Sequence, residues 1–443
     1  MDHDLILRRR GFISGGAFAG AAGLAALLSP GRAQAQSGQS LYTYDVTAYG
    51  AVGDGCHYDW PGINNAIAAM QSTGGVLYFP PGRYWIGGAA ISSCTSSAAQ
   101  PAKEIQLSVD NTTVVAWGAE IFATADTDNG GLMTVVDRAN PSHIVQNVSV
   151  FGGLFVPGDP SCNGLCVAQG QHILFFGCRA DNTNGQQAFA LQVDTTTGLG
   201  TKPPAISCVR LIGCESLNSG PGGASGLEIR SAGADRLIVD VVIDGMHIAG
   251  AGPSTQAIVC SADAGNYIYG VTLANVSISP LTAVAGTGLY LNGVQQACIS
   301  NLSMEVSYRG IEGHYVGDTV MNNLVIVGAS GVSPAPESGI VMEETGAGSP
   351  LTISNFSITG FKNGIWNYSA QDVSYASGAI RNCTVGLNTN PNLGTVYSGI
   401  QFECGTGQVP VNSYQPTDRY FKLVQRSGSQ AYLIHDDTTV QTP

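Results

Sequence analysis

The chain has 443 residues, 18 lysines and arginines against 31 aspartates and glutamates, and a formal net charge of −13. A surface of that sign repels nucleic acid and anionic membranes. With only four lysines (Lys103, Lys202, Lys362, Lys422), polyanion binding is unattractive and neutral glycans fit better. Charged residues make up 11% of the chain while glycine, serine, threonine, asparagine and valine abound, a β-rich composition poor in long surface helices.

Residues 1–35 read as a signal peptide. Arg8-Arg9-Arg10 begins it, a glycine- and alanine-rich apolar run reaches Leu28, and Ala33-Gln34-Ala35 is the small-residue cleavage site. The twin arginine followed by Gly11-Phe12-Ile13 resembles a bacterial export signal for folded proteins, which places the mature chain in the periplasm or outside the cell, without a membrane anchor. Removing four arginines and two aspartates with it leaves 14 basic and 29 acidic residues, net −15. All 11 cysteines lie beyond it, so at least one thiol is unpaired within a monomer; no C-x-x-C pair supports a zinc ribbon or a thioredoxin-like site.

Next comes Gly53-Asp54-Gly55. A phosphate loop needs a Gly-Lys-Ser/Thr ending that is missing here, so the stretch reads as a turn. Pro61 to Met70, with apolar residues at 63, 66, 67 and 70, predicts a short amphipathic helix with Asp59 near its N-terminus. Residues 74–84 predict a strand ended by Pro80-Pro81-Gly82.

From residue 146 a motif of the form Asn-apolar-Ser-apolar recurs, in QNVSV, ANVSI, SNLSM, NNLVI, SNFSI and RNCTV, with glycine replacing the asparagine in three further copies. The anchors fall at 147, 177, 213, 245, 275, 301, 323, 355 and 382. A second short strand follows each, mostly starting with glycine (GLCV at 164, GLEI at 226, GLYL at 288, GIEG at 310, GIVM at 339, GIWN at 364), and GIQF at 399 is the candidate partner of the last anchor. Short strands at this period without helical spacing predict coils stacked about 4.8 Å apart in a parallel β-helix. The apolar residue after each anchor then forms an interior column. Cys178 and Cys214 become stacked neighbours, either buried thiols or a disulfide across coils. The anchor asparagines are expected to form a ladder whose amides satisfy turn backbone.

YGAVGDG, the helix and GGVLYFPPGRY together resemble the N-terminal signature of the pectate-lyase-like superfamily, specifically over 44–87 and loosely to about 404. The resemblance implies an all-β, single-stranded right-handed parallel β-helix (solenoid) with a short N-terminal capping helix. It divides the mature chain into a β-helix domain at 36–407, capped at 44–87, and a C-terminal cap or tail at 408–443; Asp436-Asp437 falls in that tail. It also implies a carbohydrate-active protein with its site on an outer parallel sheet. The polygalacturonase set of Asn-Thr-Asp, Asp-Asp, Gly-His-Gly and Arg-Ile-Lys is not carried over, since only Ile229-Arg230 matches part of it.

Alternation along the second strands puts their third and fifth positions outward. These read Glu228, Val259, Tyr290, Glu312, Val341, Trp366 and Arg230, Ser261, Asn292, His314, Glu343, Tyr368. Glu312, Glu343 and His314 are the candidate catalytic residues; Glu228, Arg230, Tyr290, Asn292, Trp366, Tyr368 and Asp263 are candidate substrate contacts. A backbone separation of about 8 Å between Glu312 and Glu343 falls in the roughly 6.5–9.5 Å range of inverting glycosidases. The function expected is a glycoside hydrolase or glycosyl-transferring enzyme on a poly- or oligosaccharide, without cofactor. A polysaccharide lyase using Tyr308, Arg309 and His314, with calcium possible, and a non-catalytic glycan binder are the alternatives. Many solenoids of this kind associate side by side, so a homo-oligomer stays open.

Overall fold

A computed structural model describes residues 42–70, 74–94, 98–181, 186–194, 204–217, 225–233, 237–249, 256–263, 265–279, 286–331, 335–345, 349–389, 395–403, 409–413, 421–426 and 430–435. The signal-peptide reading and Asp436-Asp437 lie outside these residues. Apart from one 3₁₀ turn (Val46–Tyr49) and one α-helix (Trp60–Met70), every element described is a strand. Except in a C-terminal hairpin, the described strands pair in parallel, coil upon coil, in sheets of 12 and 25 strands, making a right-handed parallel β-helix. One coil, for example, gives Gly170–Phe176 and Arg179–Asp181 to the larger sheet and Gln187–Asp194 to the smaller. Among the described residues no helix is long and apolar enough to cross a membrane.

Alternation writes the core. The Thr319–Gly328 strand buries Thr319, Met321, Leu324, Ile326 and Gly328 and turns Val320, Asn323, Val325 and Val327 to solvent. Every residue of the expected interior column (Val148, Cys178, Cys214, Met246, Val276, Leu302, Leu324, Phe356 and Cys383) is buried. Cys178 and Cys214 are buried free thiols, donating to the carbonyls of Val150 and Phe175.

The anchors share a conformation, not a single corner. Each takes a positive φ, 59° at Asn147, 61° at Gly177, 53° at Asn301 and 51° at Asn382, the left-handed region that asparagine and glycine tolerate best. That explains why glycine substitutes for asparagine. The register separates them, however. Ile173 pairs with Val148, so Asn147 aligns with His172, whereas Gly177, Gly213, Gly245, Asn275, Asn301, Asn323 and Asn355 form one column. Asn382 follows Arg381, which pairs with Thr359, and so stands one bend later. Consequently the next strand of the 12-stranded sheet is Val385–Thr389, while Ile400–Glu403 belongs to the larger sheet. The repeat misassigns these because several bends per coil demand the same backbone.

The asparagine ladder is exposed, and its amides bond one another instead of the turn backbone. Asn323 donates to Asn301 at 2.6 Å, and Asn301 to Asn275 at 2.9 Å. Asn301→Val is expected to cost about 1–2 kcal/mol more than Asn301→Gly. Both variants lose the amide bonds, but only valine is strained at φ 53°. Urea denaturation reads the difference, and equal stabilities would remove the left-handed corner as the cause.

The cap turns on Asp59. Its buried carboxylate accepts the backbone N–H groups of Val52 (2.6 Å), Gly53 (3.2 Å) and Trp85 (3.1 Å), and burial raises its pKa despite them. Asp54 accepts from Cys56 and His57 N–H, but Asp54 and Gly55 do not form the expected turn: they open a short strand, Asp54–Tyr58, that pairs irregularly with Gly82–Trp85. A disulfide joins Cys56 to Cys94. The helix starts one residue before the expected position and buries Ile63, Ala66, Ile67 and Met70. At the other end Val409–Ser413 adds the last parallel strand to the 12-stranded sheet. A hairpin of Phe421–Arg426 and Gln430–His435 then pairs antiparallel with Ile400–Glu403.

Candidate active site

The 12-stranded sheet carries one continuous outward column in which Tyr290, Glu312, Val341 and Trp366 are successive partners. It is not an open wall: Val259 and Val341 face outward yet are buried, and Glu228 is only 8% exposed. Two residues along, unbroken alternation predicts that His314 pairs with Glu343. The register instead slips after the Gly313–Met342 pair, so that His314 partners Glu344 and Glu343 is the extra residue of a bulge. A bulge re-aims a side chain. Here it leaves Glu343 facing the same space as Glu312 and His314.

These three converge. Ligand-type atoms of Glu312, His314 and Glu343 all lie within 4.8 Å of one another. His314 Nε2 is 3.2 Å from Glu312 Oε1 and its Nδ1 is 3.5 Å from Glu343 Oε2. Backbone spacing had put the carboxylates in the inverting range; the side chains close that gap, because both lean toward a shared cation.

That cation is Arg309, which entered the sequence reading only through the lyase alternative. Its Nη1 donates to Glu312 Oε1 at 2.8 Å and lies 3.7 Å from Glu343 Oε1, while its Nε donates to Glu337 Oε2 at 2.6 Å. Its guanidinium packs 4.9 Å above the Tyr308 ring. Burial opposes its charge, but the Glu337 hydrogen bond and the Glu312 charge outweigh this and raise its pKa further. Burial likewise opposes ionisation of Glu337, whose pKa the hydrogen bonds from Arg309 and Tyr308 nevertheless hold below the usual range. Sequence reasoning missed Glu337. The signal was the coil period, since Arg309 pairs with Ser338 and so sets Glu337 beside Tyr308.

The hydrogen bond to Glu312 raises the His314 pKa, against burial and with help from the Glu343 charge. Protonated His314 therefore contributes stability that is complete below about pH 6.5 and is lost as pH rises through the raised value. The melting-temperature advantage of wild type over His314→Gln should shrink between pH 6 and 9. A constant advantage would mean that its charge does not matter.

The other candidates divide. Tyr290 stands beside His314, ring centroids 5.5 Å apart, and Trp366 meets Tyr368 edge-on at 6.1 Å, with Tyr368 52% exposed. These aromatics flank the carboxylates. Glu228 is held by the Gln192 amide, with burial raising its pKa, and the Arg230 charge acting the other way. Asp263 accepts the Gly233 N–H and Asn292 donates to the Ala262 carbonyl, so both tie neighbouring coils together. Arg230 is exposed, five coils before Trp366.

Residues 43–107 match the rhamnogalacturonase A/epimerase, pectate lyase-like family model. Among solved structures the chain is similar to the A-module of the mannuronan C-5 epimerase AlgE6 of Azotobacter vinelandii, at 14% identity over 84% of this chain and 100% of that one, TM-score 0.56. It is also similar to a hyperthermoactive exopolygalacturonase of Thermotoga maritima (13% identity, 81% and 91% covered, TM-score 0.51). A third likeness is the tailspike protein of Escherichia coli bacteriophage HK620, solved with a pentasaccharide (10% identity, 84% and 66% covered, TM-score 0.56). No curated protein sequence matches. The chain is a right-handed parallel β-helix protein whose residues 43–107 carry the pectate lyase-like match. At these identities the likeness establishes fold, and the chemistry must be argued from the site.

Proposed function

We propose that the protein is a carbohydrate-active enzyme that cleaves a neutral poly- or oligosaccharide by a double-displacement, retaining mechanism. The observation that carries this is the pair Glu312 and Glu343, whose nearest oxygens are within 4.8 Å on an outward sheet face flanked by Tyr290 and Trp366. Retaining glycosidases place their carboxyls roughly 5–5.5 Å apart. Glu312, only 13% exposed and bonded by Arg309 and His314, acts as nucleophile, its charge steadied by both donors. Glu343, 35% exposed and in reach of His314, acts as acid and then base. Tyr290 and Trp366 stand three rungs apart, about 14 Å at ~4.8 Å per rung, so a glycan lying across the strands meets an aromatic face on either side of the reacting bond.

The epimerase and polygalacturonase likenesses raise uronate chemistry as a second reading. Proton abstraction beside a uronate needs a cation for the substrate carboxylate. Arg309 is already engaged by Glu337 and Glu312, and Glu312, Glu337 and Glu343 surround it with acidic groups. This favours an uncharged sugar. Incubation of the mature protein with a panel of neutral glucans, mannans and galactans beside polygalacturonate and alginate, with product masses, tests it. Products carrying one added water support hydrolysis. Unsaturated products absorbing near 235 nm, or activity on uronans alone, overturn it.

A further inference from the structure

A cleft of about 680 Å³ opens at the N-terminal cap, where the Trp60–Met70 helix meets the Ile105–Leu107 strand that begins the 12-stranded sheet. Gln106, in its lining, stands in the outward column of Tyr290 and Glu312, linked to Glu312 by seven successive pairings. At ~4.8 Å per rung that is about 34 Å from the carboxylates.

Its lining is held in place before any ligand arrives. The half-buried Trp60 has its indole N–H on the Glu104 carbonyl at 3.1 Å. Glu104, whose side chain is fully out of solvent, takes a two-pronged bond from Arg138 at 2.8 and 3.0 Å. His143 bridges Asp137 (2.8 Å) and Asp110 (3.2 Å), and those carboxylates also accept the N–H groups of Asn140 and Gln146.

The same lining selects a ligand class. Its ionised groups are acidic, which disfavours phosphate, sulfate and uronate. Glu104 is already bonded by Arg138, and Asp137 and Asp110 by His143 and backbone N–H groups, which leaves a metal ion no vacant carboxylate set. What the cleft's lining offers is the half-buried Trp60 together with the amide-bearing Asn64, Gln106 and Asn140. A lining of one aromatic and several amides, in a cleft within the roughly 300–1,000 Å³ usual for small-molecule sites, suits an uncharged polyhydroxylated molecule. We propose that this cleft is a second glycan-binding site, holding a neutral polysaccharide at the capped end while Glu312 and Glu343 act on it further along the same face. The identity of the ligand as a glycan rests on the proposed function; the existence of the site does not.

Affinity electrophoresis tests it, in native gels cast with laminarin, hydroxyethylcellulose, galactomannan or dextran, using the mature chain carrying Glu343→Gln to prevent digestion. Trp366→Ala is added to weaken the main groove. Asn140→Trp and Asn64→Trp, at two exposed positions of the lining, each fill the cleft. At least one polymer should still retard the Trp366→Ala protein, and each filling substitution should cut that remaining retardation at least threefold while melting temperature stays unchanged. No retardation in any gel, or retardation that both filled variants keep, overturns the second site. Turnover by wild type on the same four polymers is scored separately. Cleft-dependent retardation without turnover counts against the hydrolase reading alone, and turnover with cleft-independent retardation counts against this inference alone.

Discussion

Glu312→Gln is expected to abolish turnover of natural and activated substrates alike, a loss of order 10⁶ where a nucleophile is removed. Glu343→Gln is expected to lose about 10²–10⁴ on the natural glycan. It should keep much of its first-step rate on an aryl glycoside, whose leaving group needs no protonation, and should accumulate a glycosyl-enzyme visible by intact mass. The asymmetry follows from position. Glu312 is pinned by Arg309 at 2.8 Å and His314 at 3.2 Å, whereas Glu343 sits on the bulge with longer contacts and more exposure. If the two variants lost activity equally on both substrates, or the aryl glycoside favoured Glu312→Gln, the assigned roles would be wrong.

Arg309→Ala is expected to be the most damaging substitution for stability outside the core. It would leave Glu312 and Glu337 without the guanidinium both now bond, in a cluster where Arg309 itself is only 13% exposed. Breaking a mostly buried ion pair from one side costs about 3–5 kcal/mol. Arg309→Lys should fall between, because an ammonium keeps the charge but cannot reach Glu337 through Nε and Glu312 through Nη1 at once. The pH dependence carries a sign. Glu337 has its pKa held below the usual value, so it contributes stability that is present above about pH 4.5 and is lost as pH falls through the depressed value. Denaturant titrations between pH 7 and pH 3 should show this acid-side loss in wild type and a weaker one in Arg309→Ala. A variant as stable as wild type at pH 7 would remove Arg309 as the organising charge.

Much of the coil pattern could be read in one dimension because two local rules write it. Side-chain alternation sorted the interior column correctly at all nine positions, from Val148 to Cys383. The left-handed corner marked the bends, with Asn147, Gly177 and Asn382 sharing it. Neither rule says which bend a given corner belongs to, so Asn147 and Asn382 were aligned with the wrong neighbours, and GIQF was given a place that Val385–Thr389 holds.

The site divides along the same line. Sequence by itself brought Tyr290, Glu312, Glu343, His314 and Trp366 to one outer face, since period two along a strand and one pairing per coil are properties of the backbone. Only the tertiary structure decided how far apart the carboxylates stand, through a bulge after Met342 and the reach of Arg309 toward three glutamates. It turned Glu337, which the coil period only sets beside Tyr308, onto Arg309, and withdrew Asp263 and Asn292 into links between coils. Side-chain direction and charge pairing depend on atoms that meet across coils, and no local period encodes such meetings.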